Sequence, residues 1–253
     1  MIIRVLGSGT SGGIPMIGCK CPVCTSTDTH DKRLRSSILV QTAEHNYVID
    51  AGPDFRQQML RESVDKLEAI IFTHSHRDHT AGLDDIRAFN FFQQKPMDLY
   101  LTEAVEASLR KEYHYIFDGG WYPGLPEIRF FNIQNRPFYI NETKFQPVEV
   151  LHHKMPVFGY RINNFCYITD ANAISQEEKL KLLGCKVLII NALRKETHLS
   201  HFNLEQALAI IDEVKPETAY LTHISHQMGL HAEIEAGLPS NVHLAYDGLS
   251  IDL

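Results

Sequence analysis

Six consecutive residues, His74-Ser75-His76-Arg77-Asp78-His79, contain three histidines and one aspartate. They follow the run Leu67–Phe72, which is mostly apolar and is typical of a buried strand. Strand-like alternation would aim His74 and His76 in the same direction, and the turn after them would bring Asp78 and His79 to a neighbouring point. Imidazole and carboxylate ligands suit borderline divalent ions such as zinc, manganese or iron. The spacing therefore predicts two metal positions served by one loop, whereas the alternative is a set of solvated surface histidines.

A second cluster of ligand-type residues lies near the start of the chain, where Cys19, Cys21 and Cys24 form a C-x-C-x-x-C pattern. Three thiolates in one turn can hold a zinc ion tetrahedrally if a fourth ligand comes from elsewhere. The candidate for that ligand is His226, three residues after His223. The pattern predicts one structural zinc in a Cys₃His site. The alternative is a reactive redox trio, which is weaker because thiol oxidoreductases use an isolated C-x-x-C ahead of a helix.

The composition is that of an ordinary globular protein, with 253 residues of which 44% are hydrophobic and 22% charged. The formal net charge is -7 and the basic residues are scattered, so we expect no large nucleic acid as a partner. A signal peptide marks a protein for export, and a run of about 18 apolar residues marks a membrane span. The sequence shows neither pattern. We therefore expect a cytoplasmic protein with no membrane partner.

Apolar runs of strand length recur along the chain, and stretches with helical spacing lie between several of them. The predicted strands are Ile2–Leu6, Ser37–Gln41, Tyr47–Ile49, Ala69–Phe72, Asp98–Leu101, Lys144–Leu151, Phe158–Ile162, Phe165–Thr169, Lys186–Ile190, Thr218–Leu221 and Val242–Ala245. The predicted helices are Asp54–Glu62, Thr102–Ile116, Ser175–Leu183 and Asn203–Val214, and Asp118–Pro126 is predicted to be an exposed loop. The pattern indicates an α/β protein with two sheets and outer helices. Since no linker or repeat divides the chain, one domain over residues 1–253 is the simplest organisation.

The H-x-H-x-D-H pattern resembles the signature of the metallo-β-lactamase superfamily, and Val48-Ile49-Asp50-Ala51-Gly52 looks like the acidic turn that ends one of its strands. The resemblance implies a four-layer αββα sandwich with two divalent metal ions, manganese or zinc, at the edge of the paired sheets. It also implies a ligand for each position. One ion would be held by His74, His76 and His153, the other by Asp78, His79 and His223, and Asp170 would bridge them.

The third histidine of the first ion is one of two neighbours, His152 and His153. We predict His153, because its spacing to Phe158-Gly159-Tyr160 matches the superfamily and because the preceding strand leaves it at the tip. Asp170 has an ordinary alternative role as the cap of a turn or helix. The remaining histidines are expected to be surface or core residues, and they are His30, His45, His114, His198, His231 and His243.

Several further segments resemble the phosphoribosyl 1,2-cyclic phosphate phosphodiesterases associated with phosphonate breakdown. They are Gly7–Pro15, the cysteine trio, Arg35-Ser36-Ser37, Thr222–Gln227 and Ala245–Leu249, so the resemblance covers nearly the whole chain. It implies hydrolysis of a small cyclic phosphate ester. Phosphoribosyl 1,2-cyclic phosphate and a 2′,3′-cyclic nucleotide both satisfy the same chemistry. It points to His201 as the general acid, and it is compatible with a homodimer.

Two divalent ions can hold a hydroxide between them and neutralise charge on a phosphoryl oxygen under attack. We therefore predict a dinuclear phosphodiesterase with Asp78 and His201 as its catalytic residues, Asp78 being a metal ligand as well. One alternative is a thioester or other acyl hydrolase of the same fold. A tRNA 3′-processing nuclease would carry a long arm, and no Gly/basic-rich insertion of that kind occurs here. A non-enzymatic binding module would require an incomplete ligand set.

Overall fold

The computed structural model describes residues 1–118 and 122–253, so the predicted loop Asp118–Pro126 lies partly outside the described residues. In chain order the strands are β1 (Ile2–Gly7), β2 (Ser37–Gln41), β3 (Asn46–Ile49), β4 (Ala69–Ile71), β5 (Met97–Leu101), β6 (Ile128–Asn132), β7 (Phe138–Ile140), β8 (Thr143–His152), β9 (Met155–Ile162), β10 (Phe165–Ile168), β11 (Ala173–Ile174), β12 (Val187–Asn191), β13 (Thr218–Thr222), β14 (Val242–Leu244) and β15 (Ser250–Asp252). The α-helices are α1 (Pro22–Thr25), α2 (Phe55–Arg61), α3 (Arg77–Thr80), α4 (Arg87–Gln93), α5 (Glu103–Glu112), α6 (His114–Phe117), α7 (Gln176–Leu180), α8 (Leu204–Val214) and α9 (His231–Glu235). Within the described ranges, no helix is long and apolar enough to cross a membrane.

The strands form two mixed sheets. The first has the order β15-β1-β2-β3-β4-β5-β6, and the second has the order β11-β8-β9-β10-β12-β13-β14, with β7 paired to β8. In the first sheet β3 to β6 run parallel, and in the second β10, β12, β13 and β14 run parallel. Parallel neighbours need crossover connections, and helices such as α2, α5 and α8 lie in these crossovers.

Alternation along the strands separates the chain into layers. In β2, Ile38 and Val40 belong to the apolar cluster between the two sheets, whereas Leu39 packs with the helices on the outer face of the first sheet. In β10, Tyr167 faces the cluster between the sheets and Ile168 faces the helices outside the second sheet. Successive strand residues point to opposite faces, so each sheet buries both of its surfaces. This arrangement confirms the predicted four-layer αββα sandwich.

The ends of several strands meet at one edge of the two sheets. The first sheet supplies the turns after β3 and β4, and the second supplies the end of β8 and the turns after β10 and β13. Each of these segments carries at least one histidine or aspartate. They are Asp50, His74, His76, Asp78, His79, His152, Asp170 and His223. Polar side chains from both sheets are thus brought to one place.

Candidate metal centre

Three histidine rings form the first donor group of this edge. The ring centroids of His74 and His76 lie 4.6 Å apart, and those of His76 and His152 lie 4.9 Å apart. A ligand atom from each of these three side chains lies within 4.8 Å of the others. The Nδ1 of His152 lies 2.8 Å from the carbonyl oxygen of Ser200, to which it donates when protonated, and this leaves Nε2 as an acceptor. The group therefore offers three imidazole ligands to one ion.

The structure corrects the prediction for His153, because His152 and not His153 joins this group. In β8, Val148, Val150 and His152 are buried at alternate positions, so the strand period of two aims His152 inward. His153 begins the turn after the strand, has a left-handed backbone with φ 58°, and is exposed. The alternation of Val148 and Val150 was the sequence signal that favoured His152.

Replacing these two neighbours one at a time is expected to give opposite results. His152→Ala removes one of three ligands, and we expect it to lower hydrolysis by about 100-fold or more, since a bound ion supplies several kcal/mol of charge stabilisation. His153→Ala serves as the matched control and should retain both its activity and its metal content. Steady-state rates and elemental analysis of the two variants would measure this. Equal losses in both variants would contradict the assignment.

The second donor group contains two carboxylates and two imidazoles, Asp78, His79, Asp170 and His223. The Nε2 of His79 lies 3.0 Å from one oxygen of Asp170 and 3.3 Å from one oxygen of Asp78. The same Asp170 oxygen lies 3.2 Å from Nδ1 of His223. These four side chains surround a common point, and all but Asp78 are fully buried.

Asp170 lies between the two groups. A ligand atom of Asp170 also lies within 4.8 Å of ligand atoms of His152 and His201. Its second oxygen is 3.7 Å from Nδ1 of His201. The structure therefore places Asp170 where the bridging position was predicted, and its role as a bridging ligand stays a prediction.

Left-handed backbone geometry sets the direction of several of these side chains. Asp50, Asp170 and His223 have φ values of 66°, 53° and 55°, and each lies one or two residues after the end of a strand. Non-glycine residues adopt this region at an energetic cost, which proteins tolerate mainly at functional sites. Here the conformation takes each side chain out of the strand register and into the gap between the sheets.

Neighbouring charges and burial fix the protonation of the second group. Burial alone would raise the pKa of Asp170, but the rings of His223 and His79 outweigh it and hold the pKa well below its usual range. Burial opposes a charge on His79, yet the carboxylates of Asp170 and Asp50 raise its pKa well above the usual value. Burial, followed by the nearby His79, lowers the pKa of His74. Asp170 and His79 in the second group thus favour their charged forms, whereas His74 in the first group favours its neutral form.

Two buried atoms test whether this site fits metal ions. The Nε2 atoms of His74 and His79 are inaccessible to solvent; that of His74 lacks a hydrogen-bond partner among the described residues, and that of His79 faces the carboxylates of Asp170 and Asp78. A buried polar atom without a partner costs free energy, which coordination would offset. Nitrogen and carboxylate donors at this spacing suit zinc or manganese. The residues therefore fit divalent ions.

A ring of supporting residues orients the histidines, and sequence reasoning did not identify it. Asp50 lies 2.7 Å from Nδ1 of His79 and accepts a hydrogen bond from the hydroxyl of Thr73. Ser36 and Thr10 lie 3.1 and 3.2 Å from the two ring nitrogens of His223. Such contacts fix the tautomer and direction of metal-binding imidazoles. Asp50, Ser36 and Thr10 all lie in segments noted above for their resemblance to known families, but the sequence assigned none of them this role.

His201 lies beside the two donor groups. Its ring centroid is 4.6 Å from that of His152 and 4.8 Å from that of His223. Burial and then the neighbouring His223 lower the pKa of His201 to about 3. His198, expected to be a surface or core residue, is exposed with its ring 5.1 Å from that of His201. His201, the predicted general acid, therefore lies adjacent to the two donor groups, and its ring is neutral when no substrate is bound.

The four residues predicted for structural zinc also lie together. Ligand atoms of Cys19, Cys21, Cys24 and His226 are all within 4.8 Å of one another. The Nδ1 of His226 is 3.4 Å from Sγ of Cys19 and 3.3 Å from Sγ of Cys21. Hydrogen bonds from the backbone of Cys24 and from His226 lower the pKa of Cys21 to about 6. A low-pKa thiol in a set of three sulfurs and one imidazole fits zinc.

The αββα sandwich and the clustered histidine and carboxylate donors define a class, the metal-dependent hydrolases with the metallo-β-lactamase fold. A model of the beta-lactamase superfamily domain matches residues 45–224. The chain therefore belongs to the beta-lactamase superfamily.

Individual relatives agree on the fold and differ in their described activities. The chain is 40% identical over 248 residues to an octanoyltransferase of Porphyromonas gingivalis, covering 97% of this chain and 50% of that protein. A diphosphatase from the PhnP family is similar in structure, with a TM-score of 0.94, 37% identity, and coverage of 100% of this chain and 97% of that one. Zn²⁺-bound PqqB from Methylobacterium extorquens has a TM-score of 0.78, 20% identity and 100% coverage of both chains, which shows a shared fold. The chain thus spans half the length of the octanoyltransferase it matches.

Proposed function

We propose that the protein is a metal-dependent phosphodiesterase that hydrolyses a small cyclic phosphate ester. The observation that carries this proposal is the position of Asp170 between two donor groups, 3.0 Å from His79 and 3.2 Å from His223 and within ligand range of His152. The two donor groups would hold a pair of ions, and such a pair would supply charge stabilisation to a phosphoryl group under attack. The similarity to a diphosphatase of the PhnP family supports phosphoryl chemistry.

The chain's own residues prepare the site for this reaction. When bound, the ions would supply Lewis-acid polarisation of a phosphoryl oxygen and acidify water. Asp50 holds the His79 ring through Nδ1, so Nε2 is directed towards Asp170 and Asp78. In the second sheet, the carbonyl oxygen of Ser200 holds the His152 ring through Nδ1 in the same way. These fixed contacts place the reacting groups before substrate arrives, which lowers the cost of reaching the transition state.

His201 is the proposed general acid. It is buried beside both donor groups, with Nδ1 3.7 Å from one oxygen of Asp170, and from this position it would protonate the oxygen that leaves when a phosphodiester is cleaved. Protonating that oxygen removes the cost of expelling an alkoxide. The ring is neutral in the free site, and the negative charge of a bound phosphate ester favours its protonated form.

A second candidate function is acyl transfer or thioester hydrolysis. The 40% identity to a protein described as an octanoyltransferase favours it, although the chain matches 50% of that protein. Acyl chemistry needs polarisation of one carbonyl oxygen, whereas two donor groups on either side of Asp170 suit a phosphoryl group with several charged oxygens. The geometry therefore supports the phosphodiesterase proposal better.

Removing and returning the metal tests the proposal. We expect chelated protein to lose hydrolysis of bis(p-nitrophenyl) phosphate and to regain it when manganese or zinc is added back. Elemental analysis of untreated protein should give three ions per chain, two in the histidine and carboxylate site and one in the cysteine site. The proposal would be wrong if metal-free protein cleaved the ester at the untreated rate.

A substrate panel separates the two candidates. Wild-type protein should hydrolyse 2′,3′-cyclic nucleotides and phosphoribosyl 1,2-cyclic phosphate faster than an octanoyl thioester under the same metal conditions. His76→Ala, which removes an exposed ligand of the first group, should lose this activity while keeping the wild-type far-UV circular dichroism spectrum. A preference for the thioester would favour the acyl candidate.

A further inference from the structure

Asn172 lies at the junction of three segments of the site. Its backbone N–H donates to the carbonyl of Leu151 at 2.8 Å, and its side-chain oxygen accepts a hydrogen bond from the N–H of His153 at 2.8 Å. Its side-chain nitrogen donates to the carbonyl of Leu199 at 3.1 Å. One half-buried amide therefore connects the end of β8, the turn after β10 and the loop that leads to His201.

The loop before His201 depends on a small number of such bonds. Residues 195–199 are exposed to solvent. The carbonyl of Ser200 lies 2.8 Å from Nδ1 of His152, and the N–H of Phe202 donates to the carbonyl of Ala171 at 2.6 Å. Arg194 donates to the carbonyl of Thr197 at 3.0 Å and the Asn203 side chain to that of Lys195 at 3.1 Å, so the start of the loop has its own bonds. The bond from Asn172 holds Leu199, the exposed residue just before Ser200 and His201, and its loss would loosen this last part of the loop.

The same amide also supports the turn that follows His152. The turn begins at His153, whose left-handed backbone is costly for a residue other than glycine. The hydrogen bond from its N–H to Asn172 compensates part of that cost. Asn172 is two residues after Asp170. Its bonds to His153 and Leu199 therefore fix the positions of the turn and of the His201 loop relative to the Asp170 carboxylate.

We propose that Asn172 is a positioning residue, which holds His201 at a fixed distance from Asp170 so that it can protonate the leaving oxygen. The inference rests on the proposed phosphodiesterase function and deepens it. The Asn172 side chain bonds to the backbone of His153 and Leu199, so it acts through His201 and not on the donor atoms of the predicted metal ligands. A misplacement of about 1 Å at a reacting group can cost about 100-fold in rate, so a remote bond of this kind has a measurable effect.

Leaving-group dependence distinguishes positioning from general structural support. A p-nitrophenolate leaves without help, whereas an alkoxide needs a proton from the general acid. For Asn172→Ala we expect kcat on a cyclic nucleotide, which has an alkoxide leaving group, to fall about tenfold or more, because general acids contribute about 10²–10⁴-fold. We expect kcat on bis(p-nitrophenyl) phosphate to change less than about threefold, since that reaction does not use the proton.

Two variants sharpen the test. Asn172→Asp keeps an oxygen for the N–H of His153 but loses the donor to Leu199, so it should show the same leaving-group selectivity as Asn172→Ala. In a His201→Ala background, Asn172→Ala should have no further effect on cyclic nucleotide hydrolysis, since residues that act as a unit are not additive. The matched control is Asn164→Ala, an exposed asparagine in the turn between β9 and β10, which should behave as wild type.

A structural measurement makes the test independent of substrate. Amide hydrogen exchange in Asn172→Ala should be faster at His153 and across residues 199–202 than in wild type, with the rest of the second sheet unchanged. Equal losses on both esters, full additivity with His201→Ala, or unchanged exchange would each overturn the positioning role. If wild-type protein cleaves no phosphodiester, the proposed function fails, and the exchange result alone then decides whether Asn172 holds the loop.

Discussion

Asp170→Asn is expected to abolish hydrolysis while leaving the sandwich folded. One oxygen of Asp170 lies 3.0 Å from His79 and 3.2 Å from His223, and the other faces His201. An amide of the same shape lacks the negative charge of the carboxylate, so both of the donor groups beside it would hold a cation more weakly. We expect hydrolysis of bis(p-nitrophenyl) phosphate to fall by at least about 1,000-fold, given several kcal/mol of metal-derived stabilisation.

Metal content measured on the same sample shows whether the loss has this cause. Asp170→Asn should retain fewer ions than wild type in elemental analysis, with the cysteine site still filled. Asp65→Asn, which changes an exposed aspartate of the same charge, is the control and should keep both activity and metal. Full metal content together with wild-type activity in Asp170→Asn would contradict a bridging role.

The second large effect is on stability and concerns the cysteine site. Cys21→Ser should remove the structural zinc, because Cys21 contributes the low-pKa thiol of the set. Structural zinc contributes directly to folding free energy, and for a chain of this size each kcal/mol shifts Tm by about 2–4 °C. We expect Tm to fall by about 5 °C or more. Thermal denaturation and zinc analysis measure this.

Activity should fall with the zinc, although Cys21 is not part of the catalytic centre. His226 and His223 lie on the same short segment after β13, and Thr10, which contacts His223, precedes the cysteines on the loop after β1. Releasing His226 would therefore loosen His223, one of the predicted metal ligands. Lys20→Ser is the matched control, since Lys20 is exposed between Cys19 and Cys21 and has no place in the cluster. If Cys21→Ser kept both the Tm and the zinc content of the wild-type protein, the cysteine site would not be a structural zinc site.

Ligands that are close in sequence could be predicted, because strand and turn geometry fixes where they point. His74, His76, Asp78 and His79 follow one strand, and the structure places them together. His153 was wrong by one position because the end of β8 was placed one residue too early, and one residue reverses the side-chain direction. Asn172 gave no local signal, since its partners at Leu151, His153 and Leu199 are set by tertiary packing.

The fold followed the same rule. Strongly apolar strands such as β2 and β4 were predicted within a residue, since burial on both faces leaves a continuous hydrophobic run. Strand β6 has only half-buried and exposed residues and was missed. Helix α4 was missed as well, because Phe91 and Phe92 are exposed and blur its amphipathic pattern.

The pairing of β1 has a consequence for the order in which the molecule can be assembled. Ile3 in β1 pairs with Ile251 in β15, and the amino group of Met1 donates to the carbonyl of Leu253. One edge of the first sheet is therefore made by Ser250–Asp252, which are translated long after β1, and until then the side of β1 opposite β2 exposes unpaired backbone groups. The metal-binding turns of the first sheet, by contrast, come from the first 80 residues. Half of the centre is thus translated long before the strand that closes the sheet on which it is built.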